Sequence, residues 1–450
     1  MFKFFLSRHK SIKQKKGITF PAKNAAELFP LLSSYLTNQW PVAGKIITER
    51  FVRLVYGNKF FLNMAYKRQR KIVLRKDKPG IILVISDLNI GDAINLQVAC
   101  QTLKQLFPAK QVHYAINKKT LSLIKANPDI DRTFPVFSGT AIPGEGDILR
   151  LKELVRHNNY ELIINFCPFF IAETFSGFHA QFLNHYGLTM GITYTELKTN
   201  EVNHLRKKTF DYLTRLFPEE TAKTHPVLKE VPVFIGKESI EEARIFLAKL
   251  GFLGKNGIVM FNPDATSPYT KFPLNLQVQL LKKLLDFEGV KLLLLGHGFV
   301  FKGIENEILE RLGKEKKKVV VLPGNFSLET YAALLDQCDV FITNDTGPLH
   351  LAATRKMDSG GHWLRNKTAV FSVFGATPSR IYAYDSENPS YLPAPQDAPS
   401  HVFVSRSPCR NISCINKLSK RCKTIRCFDG LQPDEMGNLI ISYLKKLSCI

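Results

Sequence analysis

Short apolar runs alternate along this chain with longer stretches whose apolar positions recur at helical spacing. The run Gly80–Ser86 reads as a buried strand, followed by a short loop to Gly91 and a helical pattern from Asp92 to Phe107. In that pattern Ile94, Val98, Ala99, Leu103 and Leu106 share one face. The alternation continues through Val112–Ile116, Leu121–Ala126 and Leu162–Phe166. Residues 225–255, with two X-Pro pairs at Pro226 and Pro232, read as a connecting segment. A second and more regular series follows. It predicts strands at 257–261, 290–295, 318–322, 340–343 and 368–374, and helices at 274–287, 304–312, 328–338 and 348–356. Short strands alternating with helices predict parallel sheets covered on both faces. Two such series predict an α/β protein of two Rossmann-like domains with a cleft between them. Ligands of such sheets sit beyond the carboxyl ends of the strands.

Composition narrows the class. With 450 residues, 45% hydrophobic and 22% charged, the chain has the make-up of a globular protein of two or three domains. That excludes a mostly disordered, collagen-like or disulfide-dense chain. The longest apolar stretch, Leu162–Ala172, is broken by Asn165 and is shorter than the roughly 18–20 residues of a spanning helix. The apolar stretch at the N-terminus is too short for a signal peptide. The expectation is a cytosolic protein, or one bound at the cytosolic face of a membrane.

Charge adds a second theme. The net charge is +23, and residues 1–78 hold 18 Lys and Arg against three acids. Residues 405–427 add seven Lys and Arg and no acid, so the rest of the chain is nearly neutral. Two basic segments flanking a neutral body suit an anionic partner, whether nucleic acid, anionic lipid or a phosphorylated glycolipid, or form solvated surface. Within the first segment Ile47, Phe51, Leu54, Val55 and Leu62 recur at helical spacing. They fit either a basic amphipathic helix at a membrane surface or a helix packed on the body.

Four strings carry candidate chemistry. Asn89-Ile-Gly91-Asp92 follows the first strand and opens a helix: Gly91 permits close approach of a ligand to the backbone, and Asp92 is either a helix cap or a reactive carboxylate. It is not the G-x-G-x-x-G fingerprint of a nicotinamide dinucleotide site. Asn262-Pro-Asp-Ala-Thr266-Ser267-Pro-Tyr-Thr-Lys271 follows strand 257–261, where hydroxyls, loop N–H groups and a lysine can hold phosphate oxygens. Asn344-Asp345-Thr346-Gly347-Pro348-Leu349-His350 again runs from strand end into helix, a ready anion site. In it Asp345 can bind a ribose or cap, and His350 can serve the ligand or the core. Cys409, Cys414, Cys422 and Cys427 lie within 19 residues and are either a structural zinc site or plain thiols. Asp129 and Asp131 spell D-x-D but fall in a turn.

Taken in order, N-I-G-D, P-D-A-T-S-P-Y-T-K-F-P, L-P-G-N-F-S-L-E-T-Y, N-D-T-G-P-L-H-L-A-A and V-F-G-A-T-P-S-R, with a Cys-rich tail, resemble glycosyltransferase family 9, the ADP-heptose:lipopolysaccharide heptosyltransferases. The likeness covers about residues 79–445. It implies a GT-B fold, with an acceptor domain (79–235) and a nucleotide-sugar domain with the Cys-rich tail (236–450), to which this chain adds a basic N-terminal extension (1–78). It also implies an inverting, metal-independent transfer without a cofactor. A heptose-like sugar, with ADP-heptose as donor, would pass to a lipopolysaccharide core or related anionic glycolipid. By position, Asp92 matches the general base. Thr266, Ser267 and Lys271 match the groups holding the donor diphosphate. Asp345, Thr346 and Gly347 match the donor turn, and His350 its accompanying histidine. The basic segments 1–78 and 405–427 would then touch an anionic membrane surface, at the cytoplasmic face of the inner membrane, and no nucleic acid is expected. Departures are the extension, Gly296-His-Gly-Phe-Val-Phe-Lys in place of a G-G-x-x-E run, and the insertion Met357–Asn366. The competing readings are a binding protein for nucleic acid or another anionic polymer on a Rossmann-like scaffold, and a catalytically silent family member.

Overall fold

The computed structural model describes residues 79–86, 89–139, 145–166, 188–189, 203–265, 267–296, 302–387, 398–405 and 425–448. The basic extension with its helix at 47–62, most of the basic segment 405–427, Thr266, Cys409, Cys414 and Cys422 lie outside them.

The first series forms a five-stranded parallel sheet. Its strands are β1 (Gly80–Ile85), β2 (Lys110–Asn117), β3 (Arg132–Phe137), β4 (Tyr160–Asn165) and β5 (Leu188–Thr189), in the order β3-β2-β1-β4-β5. Helix α1 (Ile90–Leu106) follows β1, the short α2 (Leu121–Ile124) follows β2, and α3 (Glu145–His157) follows β3. Ile82–Ile85 are all buried, as a strand covered on both faces requires. After β5 come α4 (Leu205–Leu216) and α5 (Pro218–Thr224), and α4 packs on α1.

The expected connecting segment is structured. It holds β6 (Val233–Ile235) and the amphipathic α6 (Lys237–Lys249), whose Ser239, Ala243 and Leu247 turn inward at a spacing of four. The two X-Pro pairs end before α6 begins and so do not break it. The second sheet has six parallel strands: β7 (Ile258–Phe261), β8 (Leu292–Leu295), β9 (Val319–Val321), β10 (Val340–Asn344), β12 (Ala369–Phe374) and β13 (Ser400–Val404). Their order is β13-β12-β10-β7-β8-β9. Helices α7 (Leu274–Asp286), α8 (Ile304–Leu312), α9 (Leu328–Leu335) and α10 (Gly347–Ala353) connect them. The insertion forms β11 (Lys356–Asp358), which pairs with β6, and a turn that carries Trp363 beneath the Arg355 guanidinium. Helix α11 (Ser379–Tyr382) follows β12, and α12 (Pro433–Ser448) packs on α7.

Both sheets repeat one topology. In each, the chain starts at a central strand, builds outward, then returns to the other side of the first strand. The strand order therefore reverses between β1 and β4 in the first sheet and between β7 and β10 in the second. Crevices at such switch points are where open α/β sheets bind ligands. Asp92 follows β1, Ser267–Lys271 follow β7, and Asp345–Gly347 follow β10. A single buried cluster runs from Ile82 and Val84 through α1 and α4 to Leu349 and Leu351 of α10 and on to Met260 of the second sheet. The two sheets thus meet through α1 and α10.

Candidate active site

The first contribution comes from the start of α1. Its cap position is Asn89, so Asp92 lies inside the first helical turn and does not cap the helix. An acid there is favoured by the unpaired N–H groups of the terminus. Helical geometry places Asp92 and Asn95 on one face, three residues apart. That face meets the second half of the protein. The Tyr382 hydroxyl, at the end of α11, donates to Asp92 Oδ1 at 3.2 Å. Burial, together with the nearby Asp92 and Asp345 carboxylates, pushes the Tyr382 phenol well up, so it stays a proton donor. Gly91 presses on His350 so closely that a Cβ would overlap the imidazole. One turn of chain away, a Cβ on Gly347 would meet Ile90 Cβ at 3.1 Å.

The second contribution is a pair of loops joined by two asparagines. Asn262 Nδ2 lies 3.2 Å from the Asp264 carbonyl and from the hydroxyls of Thr343 and Thr346. Asn344 Oδ1 accepts from the Phe272 N–H at 2.7 Å, while its Nδ2 donates to the carbonyls of Asn262 and Asp264. The loop after β7 and the turn after β10 are therefore one rigid unit. Ser267 is buried and its hydroxyl accepts from the Tyr269 N–H at 3.3 Å. Burial lowers the Lys271 ammonium from its ordinary value, and the Asp264 and Glu307 carboxylates partly restore it. Asp345 is pushed up to about 6 by burial, with a Thr377 hydrogen bond pulling it part-way back.

Behind the two loops lies a buried polar network. His350 is 3% exposed. Its Nδ1 accepts from Asn95 Nδ2 at 3.1 Å and lies 3.0 Å from the Tyr384 hydroxyl. Tyr384 donates to Asn95 Oδ1 at 3.0 Å, and Arg206 donates to Asn95 Oδ1, to the Tyr384 oxygen and to Thr354. Burial and the Arg206 charge hold the imidazole down at about 3, so His350 is neutral, with its proton on Nε2. Of the two roles open to His350 in the sequence, its surroundings are those of a core histidine. It ties α1, α4 and α10 together behind the donor turn.

The remaining candidates fall elsewhere. Asp131 accepts from Lys104 Nζ at 2.8 Å and from the Val112 N–H at 2.7 Å, so the D-x-D letters serve the first sheet. Cys427 is buried in the second core beside Phe428. Among the described residues no group of three or more His, Cys, Asp or Glu is placed to hold a metal ion.

Comparison with known proteins gives this arrangement a family. The model for glycosyltransferase family 9 (heptosyltransferase) matches residues 222–358, which span the β7 loop, the D-T-G turn and His350. Lipopolysaccharide heptosyltransferase 1 of Campylobacter coli is 24% identical over 316 residues, covering 67% of this chain and 86% of that protein. Over residues 222–358 the chain is similar to glycosyltransferase family 9. Its fold agrees with a family 9 structure from Veillonella parvula at a TM-score of 0.58 and 16% identity, covering 82% of this chain and 98% of that one. The Escherichia coli ADP-heptose lps heptosyltransferase II superposes at 0.54, with 16% identity and 82% and 99% coverage. As in that structure, the fold is GT-B, two parallel α/β sheets facing one another.

Several residues in the site carried no signal of their own. Asn95, Arg206, Tyr382 and Tyr384 are spread over almost 300 positions and meet only in the fold. Asn262 and Asn344 each stand at a strand end inside a motif, a position that marks them as loop braces once the sheet is known.

Proposed function

We propose that this protein transfers a heptose-like sugar, with inversion, from ADP-heptose to the core of lipopolysaccharide or a related anionic glycolipid. Residues 79–235 form the acceptor half and 236–450 the nucleotide-sugar half. The observation that carries this reading is the meeting of Asp92, on the switch point of one sheet, with the D-T-G turn side of the other through the Tyr382 hydroxyl. Its similarity to a lipopolysaccharide heptosyltransferase and to an ADP-heptose lps heptosyltransferase supports this donor and acceptor.

In this reading the acceptor hydroxyl attacks the anomeric carbon while Asp92 takes its proton. The bond from that carbon to the diphosphate oxygen breaks, and the electron pair leaves with ADP. The developing charge on the leaving group meets Lys271, the hydroxyls of Thr266, Ser267 and Thr346, and the N–H groups of the 346–347 turn. Asn262 and Asn344 hold those two loops in register, so the donors need not reorganise as charge develops. Lys271 is half-buried, so its ammonium meets a diphosphate with less screening than a fully exposed lysine would. The ribose edge falls to Asp345, and His350 supports the turn from behind. The neutralisation of the diphosphate by these groups requires no divalent cation. The basic segments 1–78 and 405–427 keep the enzyme at the cytoplasmic face of an anionic membrane, where each Lys or Arg adds roughly 1 kcal/mol.

The test is transfer from ADP-heptose to a heptose-deficient lipopolysaccharide, compared for the wild type and Asp92→Asn. The variant is expected to lose at least about a hundredfold in kcat while binding ADP normally. Undiminished transfer by Asp92→Asn would remove the base assignment, and no transfer by the wild type would remove the function.

A further inference from the structure

The contacts of α1 with the second half of the protein form a closed circuit. Asn95 holds His350 by its ring nitrogen at 3.1 Å. His350 meets the Tyr382 ring edge-on, with centroids 5.8 Å apart and planes at 74°. Tyr382 returns to α1 through its 3.2 Å bond to Asp92. Asn95 and Asp92 are one helical turn apart on a single face, so the circuit fixes where that face can sit. The His350 ring is itself held at Nδ1 by Asn95 and packed edge-on against the Tyr384 ring, and so it backs the Tyr382 ring with a rigid wall. The Tyr382 phenol thus has one defined position, between a carboxylate of the acceptor half and the Asp345 carboxylate of the donor half.

We propose that Tyr382 is the positioning residue of the general base, a hydroxyl from the donor half that orients the Asp92 carboxylate toward the acceptor. This rests on the function proposed above. A carboxylate on a free two-torsion side chain would sweep several rotamers. A phenol bonded to Oδ1 selects one of them. It also stabilises the ionised form in which Asp92 acts as base. Tyr382 belongs to the half that holds the donor turn, so its bond to Asp92 joins the two halves at the base.

The experiment uses the full chain with Tyr382→Phe, which keeps the ring against His350 and removes only the hydroxyl. Tyr384→Phe serves as a comparison that weakens the buried network without touching Asp92. Transfer from ADP-heptose to heptose-deficient lipopolysaccharide is followed from pH 5 to 9, with ADP binding measured by calorimetry. Tyr382→Phe is expected to lower kcat about 10- to 100-fold with the donor KM within about twofold of wild type. The acid limb of its kcat profile should move up by about half a pH unit to one, because the ionised carboxylate has lost a hydrogen bond. Tyr384→Phe should lower the melting temperature and leave that limb in place. A Tyr382→Phe enzyme with wild-type kcat and an unmoved limb overturns the proposal, as does the same limb shift in Tyr384→Phe. A wild type without turnover overturns the proposed function and this proposal with it, so the two failures are distinguishable.

Discussion

Asp345→Asn is expected to make the protein more stable at neutral pH, against the usual direction for a change inside a binding turn. The Asp345 carboxyl lies in the turn after β10, and its burial raises it from an ordinary value of 3.8 to about 6. Between those values the folded protein keeps a proton that the unfolded chain has released. Stability therefore falls as pH rises from about 4 to about 6, and the full cost persists above that. One pH unit corresponds to about 1.4 kcal/mol, so the ceiling is about 3 kcal/mol, and partial exposure of the side chain brings it to about 2. Asparagine has the same shape, can still meet the Thr377 hydroxyl, and carries no charge to desolvate. For a chain of this length a gain of about 2 kcal/mol raises Tm by roughly 2–4 °C. The measurement is the difference in urea or thermal stability between variant and wild type at several pH values. It should be largest at pH 7.5 and vanish near pH 4. The subtraction removes every group the two proteins share, including His350, whose pH dependence has the opposite sign. A variant less stable than wild type at pH 7.5, or a difference constant from pH 4 to 8, would refute the reasoning. If the gain appears, the wild type keeps a costly carboxylate where ligand binding can use it.

Lys271→Ala should weaken ADP affinity at least tenfold, about 1.4 kcal/mol, with little change in melting temperature, and unaltered affinity in calorimetry would count against the phosphate role. His350, held at about 3, must stay neutral in the fold, so its contribution is intact above about 6.5 and lost progressively as pH falls toward 3. The stability advantage of wild type over His350→Gln should accordingly shrink by about 2 kcal/mol between pH 7.5 and 5, read by urea unfolding. Sedimentation with vesicles should show the full chain on anionic lipid and not on neutral lipid, with binding reduced by salt. Equal binding to both would remove the membrane role of the basic segments.

Much of this architecture is legible in the sequence because parallel strands buried on both faces read as unbroken apolar runs. Leu292–Leu295 is one, and Val340–Ile342 another, and the first is followed by α8, whose Ile304, Ile308 and Leu312 form a buried stripe. Strand β3 escaped that reading because it is an edge strand, half exposed, with Arg132 and Pro135 in its length. Helix α6 escaped because its buried face is made of Ser239, Ala243 and Leu247, a weak apolar signal behind two prolines. The site divides the same way. Asp92, Lys271 and Asp345 stand in local strings whose residue types announce phosphate and proton chemistry. Tyr382 and Arg206 stand in unremarkable surroundings, and their partners are 290 and 111 positions away. No local periodicity encodes such a pairing.

One such distant pairing makes a glycine sensitive to substitution. Gly91 sits in the first turn of α1, where alanine would ordinarily gain about 1 kcal/mol of helix propensity. Here the added methyl would enter the space of the His350 imidazole. The ring has no room to yield, because Asn95 fixes its Nδ1, the Tyr384 ring packs edge-on against it, and it is buried. The strain must then be relieved by α1 moving off α10, and overpacking of this kind costs about 1–3 kcal/mol, enough to reverse the propensity gain. A shift of roughly 1 Å carries Asp92 away from Tyr382 and from the acceptor, and misplacement on that scale lowers kcat about a hundredfold. The groups proposed to hold the donor stand on the loops of the second sheet, which Asn262 and Asn344 brace to one another. Gly91→Ala should therefore bind ADP with near wild-type affinity, melt at lower temperature and transfer sugar slowly. Wild-type kcat in a variant of equal or higher stability would mean that the close approach of Gly91 to His350 is not what sets the position of the base.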